Sequence, residues 1–429
     1  MYIMKNVKLF LYLLLLSVTF ISCSNHNKKD IGFQQLKFVE NPSKEGFCTD
    51  RLSRIDSLVE RFLSEGKAVN CVAMVGRNGK IIYNKAFGWK NVEKKEKVTE
   101  SDIFRIASMT KGVVSVALMT LYEEGKFLLD DPLWWYIPEF REMEVIEEFR
   151  APGDFTTRPA KRGITIRHLL SHSSGIPYDK PYNKDAGIPF TSSMHDMTTE
   201  EFVKKIATLP LDHDPGERYT YGLSTDVIGY LIEVLSGKSL DVFLRNKIFE
   251  PLGMEDTYFY LPEDKKDRLV TLYSARQDGI ERSNNEVQQN FPVAGPQKIF
   301  LGGAGLCSTV MDYAKFCQML LNKGIFNDVR ILSPKTVELM TTVNQLAFND
   351  RKSDSFQFGL GFEINGECKA SGTIESLNNY GWGGMYGTNY CIDPSENMFI
   401  LFMSNELPWP DGSRMQTLYR MMVYQALVN

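Results

Sequence analysis

The sequence has no block of lysines and arginines beyond short pairs, and its 49 basic residues are outnumbered by 53 acidic ones, a formal net charge of −4. A nucleic-acid partner needs a clustered basic face, so that class of function is set aside. Cysteine is sparse: beyond Cys23 there are Cys48, Cys71, Cys307, Cys317, Cys368 and Cys391, with no Cys-x-x-Cys pair. Neither a small disulfide framework nor a zinc ribbon is indicated. Cys71 and Cys391 lie in apolar, strand-like runs and are expected as buried thiols. Histidine is scarcer still, five in all. His168 and His172 stand four apart, as zinc ligands can, yet the glutamate of H-E-x-x-H is missing and no carboxylate third ligand is evident nearby. No metal site and no cofactor are therefore assigned. Asp130-Asp131-Pro132 reads as a turn starting at Asp-Pro, not as a pair of working carboxylates.

No apolar run reaches the roughly 20 residues of a membrane-spanning helix. The run from Leu9 to Ile21, "LFLYLLLLSVTFI", follows Lys5 and Lys8 and has the length of a secretory h-region. It ends at "FISC", with Ser22 before Cys23 and the polar "SNHNKKD" after it. This arrangement resembles a bacterial lipoprotein signal over residues 1–22, with Cys23 lipidated and a tether over 23–48. Phe20 departs from the usual leucine of such signals, and a plain signal peptide or an uncleaved anchor is the alternative. The remainder, in a chain 43% hydrophobic and 24% charged, has ordinary globular composition. At ~150 residues per domain its length allows up to three domains or one large unit.

The folded body is expected from about Thr49, since Leu52, Ile55, Leu58, Val59 and Phe62 recur at helical spacing. Arg77-Asn78-Gly79 separates two β-rich runs, a strong hairpin signal. A helix with Val113, Val114, Val116, Leu118, Met119 and Leu121 is apolar almost all round and so is buried between layers. Residues from about 127 to 300 read as a mainly helical lobe with Pro/Gly breaks and a polar stretch near 262–298. "FGLGFEIN", "TNYCIDP" and "NMFILFMSN" then return to strand pattern. Strands at both ends with helices between predict an α+β fold, an antiparallel sheet flanked by helices with an inserted helical lobe.

Ser108 and Lys111, in "FRIASMTK", open the buried helix. A serine hydroxyl needs an adjacent base to act as a nucleophile. Residues i and i+3 share a helix face, and a helix N-terminus opposes a nearby cation while favouring an oxyanion. The spacing alone is weak, because Ser64-Glu65-Gly66-Lys67 repeats it at a solvated helix end. On these residues alone, a serine cap beside a snorkelling lysine accounts for the motif equally well.

The stretch "FRIASMTK" resembles the nucleophile motif of the serine β-lactamase and penicillin-binding-protein superfamily, and more closely its class C-like esterase and peptidase branch. "LLDDPLWWYIPEF", "ITIRHLLSHSSGIP", "DPGERYTYGLSTDVIGYLIEVLSG", "IFEPLGMEDT", "GGAGLCSTVMDYAKF" and "YGWGGMYGTNYCIDP" are similar to that branch's blocks in the same order. The resemblance implies the β-lactamase/transpeptidase-like fold over residues 49–429, Ser108 as nucleophile and Lys111 as its proton acceptor. Tyr221 matches the tyrosine of the family's Y-x-N element and would move protons, while Leu223 stands where the asparagine is usual. Trp382-Gly383-Gly384 occupies the place of K-T-G, without its cation. By the same likeness, the N–H groups of Met385 and Ser108 would form the oxyanion hole. A core role for Tyr221 and a bulge for Trp382 are the structural alternatives.

These substitutions favour an ester or small amide lacking a carboxylate beside the scissile bond. The resemblance thus implies an exported, lipid-anchored serine hydrolase acting through a Ser108 acyl-enzyme, with a small-molecule substrate as its partner and the membrane touched only through the lipid. The runner-up is a D-amino-acid peptidase or weak β-lactamase acting on cell-wall-like material. A binding protein that keeps the fold without turnover is the rival of another class.

Overall fold

Asn78 and Gly79 take positive φ, 55° and 74°, which is what the two-residue turn favoured by Asn-Gly requires. They join two strands of the central sheet in a computed structural model that describes residues 36–178, 180–183, 196–276, 279–346, 356–366, 372–407 and 412–428. The signal-like segment, Cys23 and Cys368 lie outside the described residues.

In chain order the sheet comprises β1 (Lys37–Phe38), β2 (Asn70–Arg77), β3 (Lys80–Asn91), β4 (Gln357–Phe358), β5 (Glu363–Ile364), β6 (Tyr380–Gly384), β7 (Thr388–Asp393) and β8 (Met398–Met403). Their spatial order is β1-β3-β2-β8-β7-β6-β5-β4, with Glu96–Lys97 added beside β3. The N-terminal hairpin thus pairs with the C-terminal strands, Val75 opposite Ile400. Two expectations are corrected. The sheet is mixed, because β1 runs parallel to β3. The body also begins before Thr49: Val39 donates to Ile81 O, Phe47 is fully buried and Cys48 donates to Ala426 O, contacts between distant segments that no local pattern announces.

Both faces of the sheet are covered, so β2 and β8 are apolar on successive residues and not only on alternate ones. Ala73, Val75, Ile400 and Phe402 face α1 (Arg54–Ser64), which contributes Ile55, Val59 and Phe62, and α5 (Gly412–Tyr424), which contributes Met415, Tyr419 and Val423. Val72, Met74, Phe399 and Leu401 face α2 (Thr110–Glu123) and α4 (Val310–Leu321). Every residue of α2 from Thr110 to Leu121 is buried. Cys71 and Cys391 are free, buried thiols. The lobe packs α3 (Ser224–Ser236) against α2, but it also contains two hairpins, Glu144–Ala151 with Asp154–Pro159 and Tyr273–Arg276 with Gly279–Arg282. Among the described residues no helix is long and apolar enough to cross a membrane.

Glu406 follows β8 and is buried, with no cationic partner among the described residues. Its Oε1 accepts Val69 N–H at 2.6 Å, while Oε2 has no hydrogen-bond partner among the described residues. Burial pushes this carboxyl up to about 7, against the bonds from Val69, Asn70 and Ser404 that favour its charged form. A carboxyl raised on folding adds stability in full below its ordinary value and loses it as pH rises through the folded value. Between pH 5 and pH 8 this one group is expected to withdraw about 2–3 kcal/mol. Denaturant melts of the wild type and Glu406→Gln at both pH values test this: the variant should lose that much less, and equal losses would refute the assignment.

Candidate active site

Ser108 sits in a single 3-10 turn, Ala107–Met109, directly before α2. Ala107 has φ +43°, a left-handed conformation that costs a residue with a Cβ and persists only where the surroundings impose it. Here they do. Arg105 N donates to Asn405 Oδ1, Ile106 N to Leu306 O and Tyr313 Oη to Met109 O. Thr388 Oγ1, on β7, donates to Ile106 O at 3.2 Å. Ser108 is thereby fixed between the strands and the lobe.

Lys111, 2% exposed, lies one turn on and reaches back to Ser108. Its Nζ is 3.1 Å from Ser108 Oγ, 2.9 Å from Tyr178 Oη and 2.7 Å from Gly303 O. Three acceptors match the three donors of an ammonium. Burial alone lowers the Lys111 pKa, but Tyr178, Tyr221 and Asp226 outweigh it and raise the group above the ordinary lysine value. This reverses the reading in which the helix end depresses Lys111. The carboxyl of Asp226, on the first turn of α3, accepts Gly303 N–H at 2.9 Å, so one peptide group links Asp226 to Lys111. Burial pushes Asp226 up to about 6, with Lys111 opposing. A side chain on Gly303 would put its Cβ 2.4 Å from Asp226 Oδ2.

Tyr221 stands beside Lys111, whose Nζ is 4.7 Å from the ring centre. Its ring packs among those of His172, Tyr178 and Trp382, at centroid distances of 5.0, 5.3 and 5.3 Å. Trp382 Nε1 donates to Tyr221 Oη at 3.2 Å. Burial would raise the phenol, but the charge of Lys111 and hydrogen bonding with Ser108 and Trp382 bring it below the ordinary value of 10. Tyr178, equally enclosed, goes the other way because its burial exceeds the help it gets from Lys111. Of the two tyrosines facing Lys111, only Tyr221 is tuned toward phenolate.

β6 closes the other side. Its register against β7 runs unbroken from Tyr380 opposite Ile392 to Gly384 opposite Thr388, so Trp382 is not on a bulge. A Cβ at Gly384 would lie 2.4 Å from Ile106 O and 2.2 Å from Thr388 Oγ1. Glycine is what lets the strand touch the Ser108 turn. Gly383 lies between Trp382 and Gly384, where a Cβ would meet Asn389 Nδ2 at 3.2 Å, and Met385 opens the turn into β7. Leu223 is fully buried in the main core.

The structure brings Ser108, Lys111, Tyr221 and Trp382 together and adds three groups that sequence reasoning did not name, Tyr178, Asp226 and the Gly303 carbonyl. The visible signal for Asp226 was an acid on the first turn of an otherwise apolar helix; Tyr178 carried none. His168 forms a reciprocal cap with Thr165, and His172, with φ +53°, is held neutral by burial, helped by the charge of Lys111. No cluster of three or more metal-ligating residues occurs among the described residues.

The Beta-lactamase family profile matches residues 55–421. A putative D-alanyl-D-alanine carboxypeptidase of Escherichia coli K12 is 30% identical over 418 residues, covering 92% of this chain and 90% of its own. Esterase EstB of Burkholderia gladioli is 27% identical, covering 82% and 90%. The solved structure of EstCE1, a hydrolase with promiscuous acyltransferase activity, superposes with a TM-score of 0.73 at 25% identity, covering 89% and 99%. With a Ser-x-x-Lys pair whose half-buried serine meets a buried lysine, in a sheet-and-lobe fold matched along most of its length, the chain belongs to the β-lactamase family and is a serine hydrolase.

Proposed function

We propose that the chain hydrolyses an ester or small amide through an acyl-enzyme on Ser108, with Tyr221 as the proton acceptor and Lys111 kept charged. The Ser108 proton passes to Tyr221 Oη as Oγ bonds to the carbonyl carbon. The carbonyl oxygen takes the negative charge beside the N–H groups of Ser108 and Met385. As the bond to the leaving oxygen or nitrogen breaks, Tyr221 returns the proton to it. Water then attacks the acyl carbon, giving its proton to Tyr221 and releasing the acid, and Tyr221 reprotonates Ser108.

The observation that carries this reading is Trp382: its indole N–H supports Tyr221 where a cation would otherwise grip a substrate carboxylate. Leu223, in the core, offers no amide either. The expected result is turnover of a short-chain p-nitrophenyl ester about 100-fold or more faster than a chromogenic cephalosporin, since a missing charged contact costs about 1.5–3 kcal/mol and two elements are replaced. Brisk cephalosporin cleavage would sink the ester reading. The likeness to a putative D-alanyl-D-alanine carboxypeptidase favours a second reading as a D-amino-acid peptidase, which release of D-alanine from a D-Ala-D-Ala peptide would establish. Export with a lipid on Cys23 belongs to the same proposal and rests on the motif at Ser22-Cys23-Ser24; mass spectrometry finding an unmodified Cys23 in the mature chain would overturn it.

A further inference from the structure

A second cavity, of about 270 Å³, opens on the lobe and is lined by Asp241, Arg245, Phe249, Tyr258, Tyr260 and Phe300, among others. It is not the Ser108 site: Ser108, Lys111, Tyr178, Tyr221 and Trp382 are all absent from its wall. Asp241 and Arg245 are four apart on consecutive helical turns, the spacing at which a carboxylate and a guanidinium commonly pair. They do not pair here. Among the described residues Asp241 Oδ1 is buried without a hydrogen-bond partner. The Arg245 guanidinium is drawn aside, 4.5 Å from the Tyr258 ring centre, with one nitrogen donating to Thr257 O at 2.9 Å. The turn Arg245–Phe249 is π-helical, a wide turn that recurs at functional sites, and both of its end residues line the cavity.

Two opposite charges facing one aromatic cavity without satisfying each other call for a ligand that carries both. We propose that this cavity binds a free α-amino acid as its zwitterion, the ammonium on Asp241, the carboxylate on Arg245 and an apolar side chain among Phe249, Tyr260 and Phe300. An ammonium in the cavity would give the Asp241 carboxylate the charge-assisted partner that Arg245 withholds. A sugar is the poorer match because it stacks on an open aromatic face. The Tyr258 ring is covered by Arg245 and Lys265, Phe249 is buried, and Phe300 meets Phe259 and Tyr260 edge-on. The volume suits a single amino acid and not a folded peptide.

Isothermal titration of the full chain with D- and L-leucine, leucinamide, N-acetylleucine and N-acetylglucosamine tests this. Leucine of one hand should bind saturably, with each blocked analogue about tenfold weaker or worse, as expected for losing one charge-assisted contact. Asp241→Asn and Arg245→Gln should each weaken leucine to the same degree while ester turnover stays at wild-type level. Val242→Trp, at the exposed rim, touches neither charge and should also weaken leucine by obstructing access. Equal binding of the blocked analogues, preference for N-acetylglucosamine, or no saturation by any of the five would overturn the proposal.

Discussion

Ser108→Ala is expected to slow ester hydrolysis by about 10⁴-fold or more, and Lys111→Ala added to it should cost almost nothing further. Residues that act as one unit are grossly non-additive, because a nucleophile without its proton path and a proton path without its nucleophile fail alike. The geometry makes such a unit: Ser108 Oγ lies 3.1 Å from a lysine whose other bonds run to Tyr178 and Gly303. Initial rates for both single variants and the double variant complete the cycle. Multiplying losses would mean that Ser108 and Lys111 act separately. Lys111→Ala also leaves Gly303 O without its partner, which costs about 1–3 kcal/mol of stability for a buried acceptor, so a melting curve must accompany each rate. A fluorophosphonate probe should label the wild type and not Ser108→Ala.

The parts of this architecture that local chemistry dictates were legible in the sequence. Asn78-Gly79 fixes a turn within two residues, and the run from Val113 to Leu121 has too many apolar faces for a surface helix. Ser108 and Lys111 are joined by a single helical turn, so their spacing allows contact, and the apolar helix and the resemblance singled this pair out from the Ser64–Lys67 repeat. Tyr178 could not be read in this way. It meets Lys111 from 67 residues away, on a stretch without periodicity, and the Gly303 carbonyl arrives across 192. A backbone acceptor has no residue identity to betray it. The charge state of Lys111 was misjudged for the same reason: the helix end is visible in sequence, whereas the opposing Tyr178, Tyr221 and Asp226 are assembled only by the fold. The hairpin Glu144–Ala151 with Asp154–Pro159 was missed although Pro152-Gly153 marks its turn, because its strands alternate weakly and much of the tip is exposed.

Tyr221→Phe is expected to lower ester turnover by about 10²–10⁴-fold, the range of general acid-base catalysis, whereas Tyr178→Phe should cost about tenfold or less. Both hydroxyls sit near Lys111, so proximity does not separate them; electrostatics does. The Tyr221 phenol is the one brought below 10, since burial is outweighed by Lys111 and by bonds from Ser108 and Trp382, while Tyr178 stays protonated and accepts a bond from Lys111. The sign of the pH dependence follows. If Tyr221 must lose its proton to receive that of Ser108, kcat/KM rises with pH through the lowered phenol value. Trp382→Phe removes one stabilising bond to the phenolate and shifts that rise to higher pH; Lys111→Met removes the cation and shifts it further. Tyr221→Phe abolishes the rise, and Tyr178→Phe preserves it. The same series distinguishes the alternative in which neutral Lys111 is the base, for then Tyr221→Phe would retain the rising limb and Trp382→Phe would leave its position unchanged.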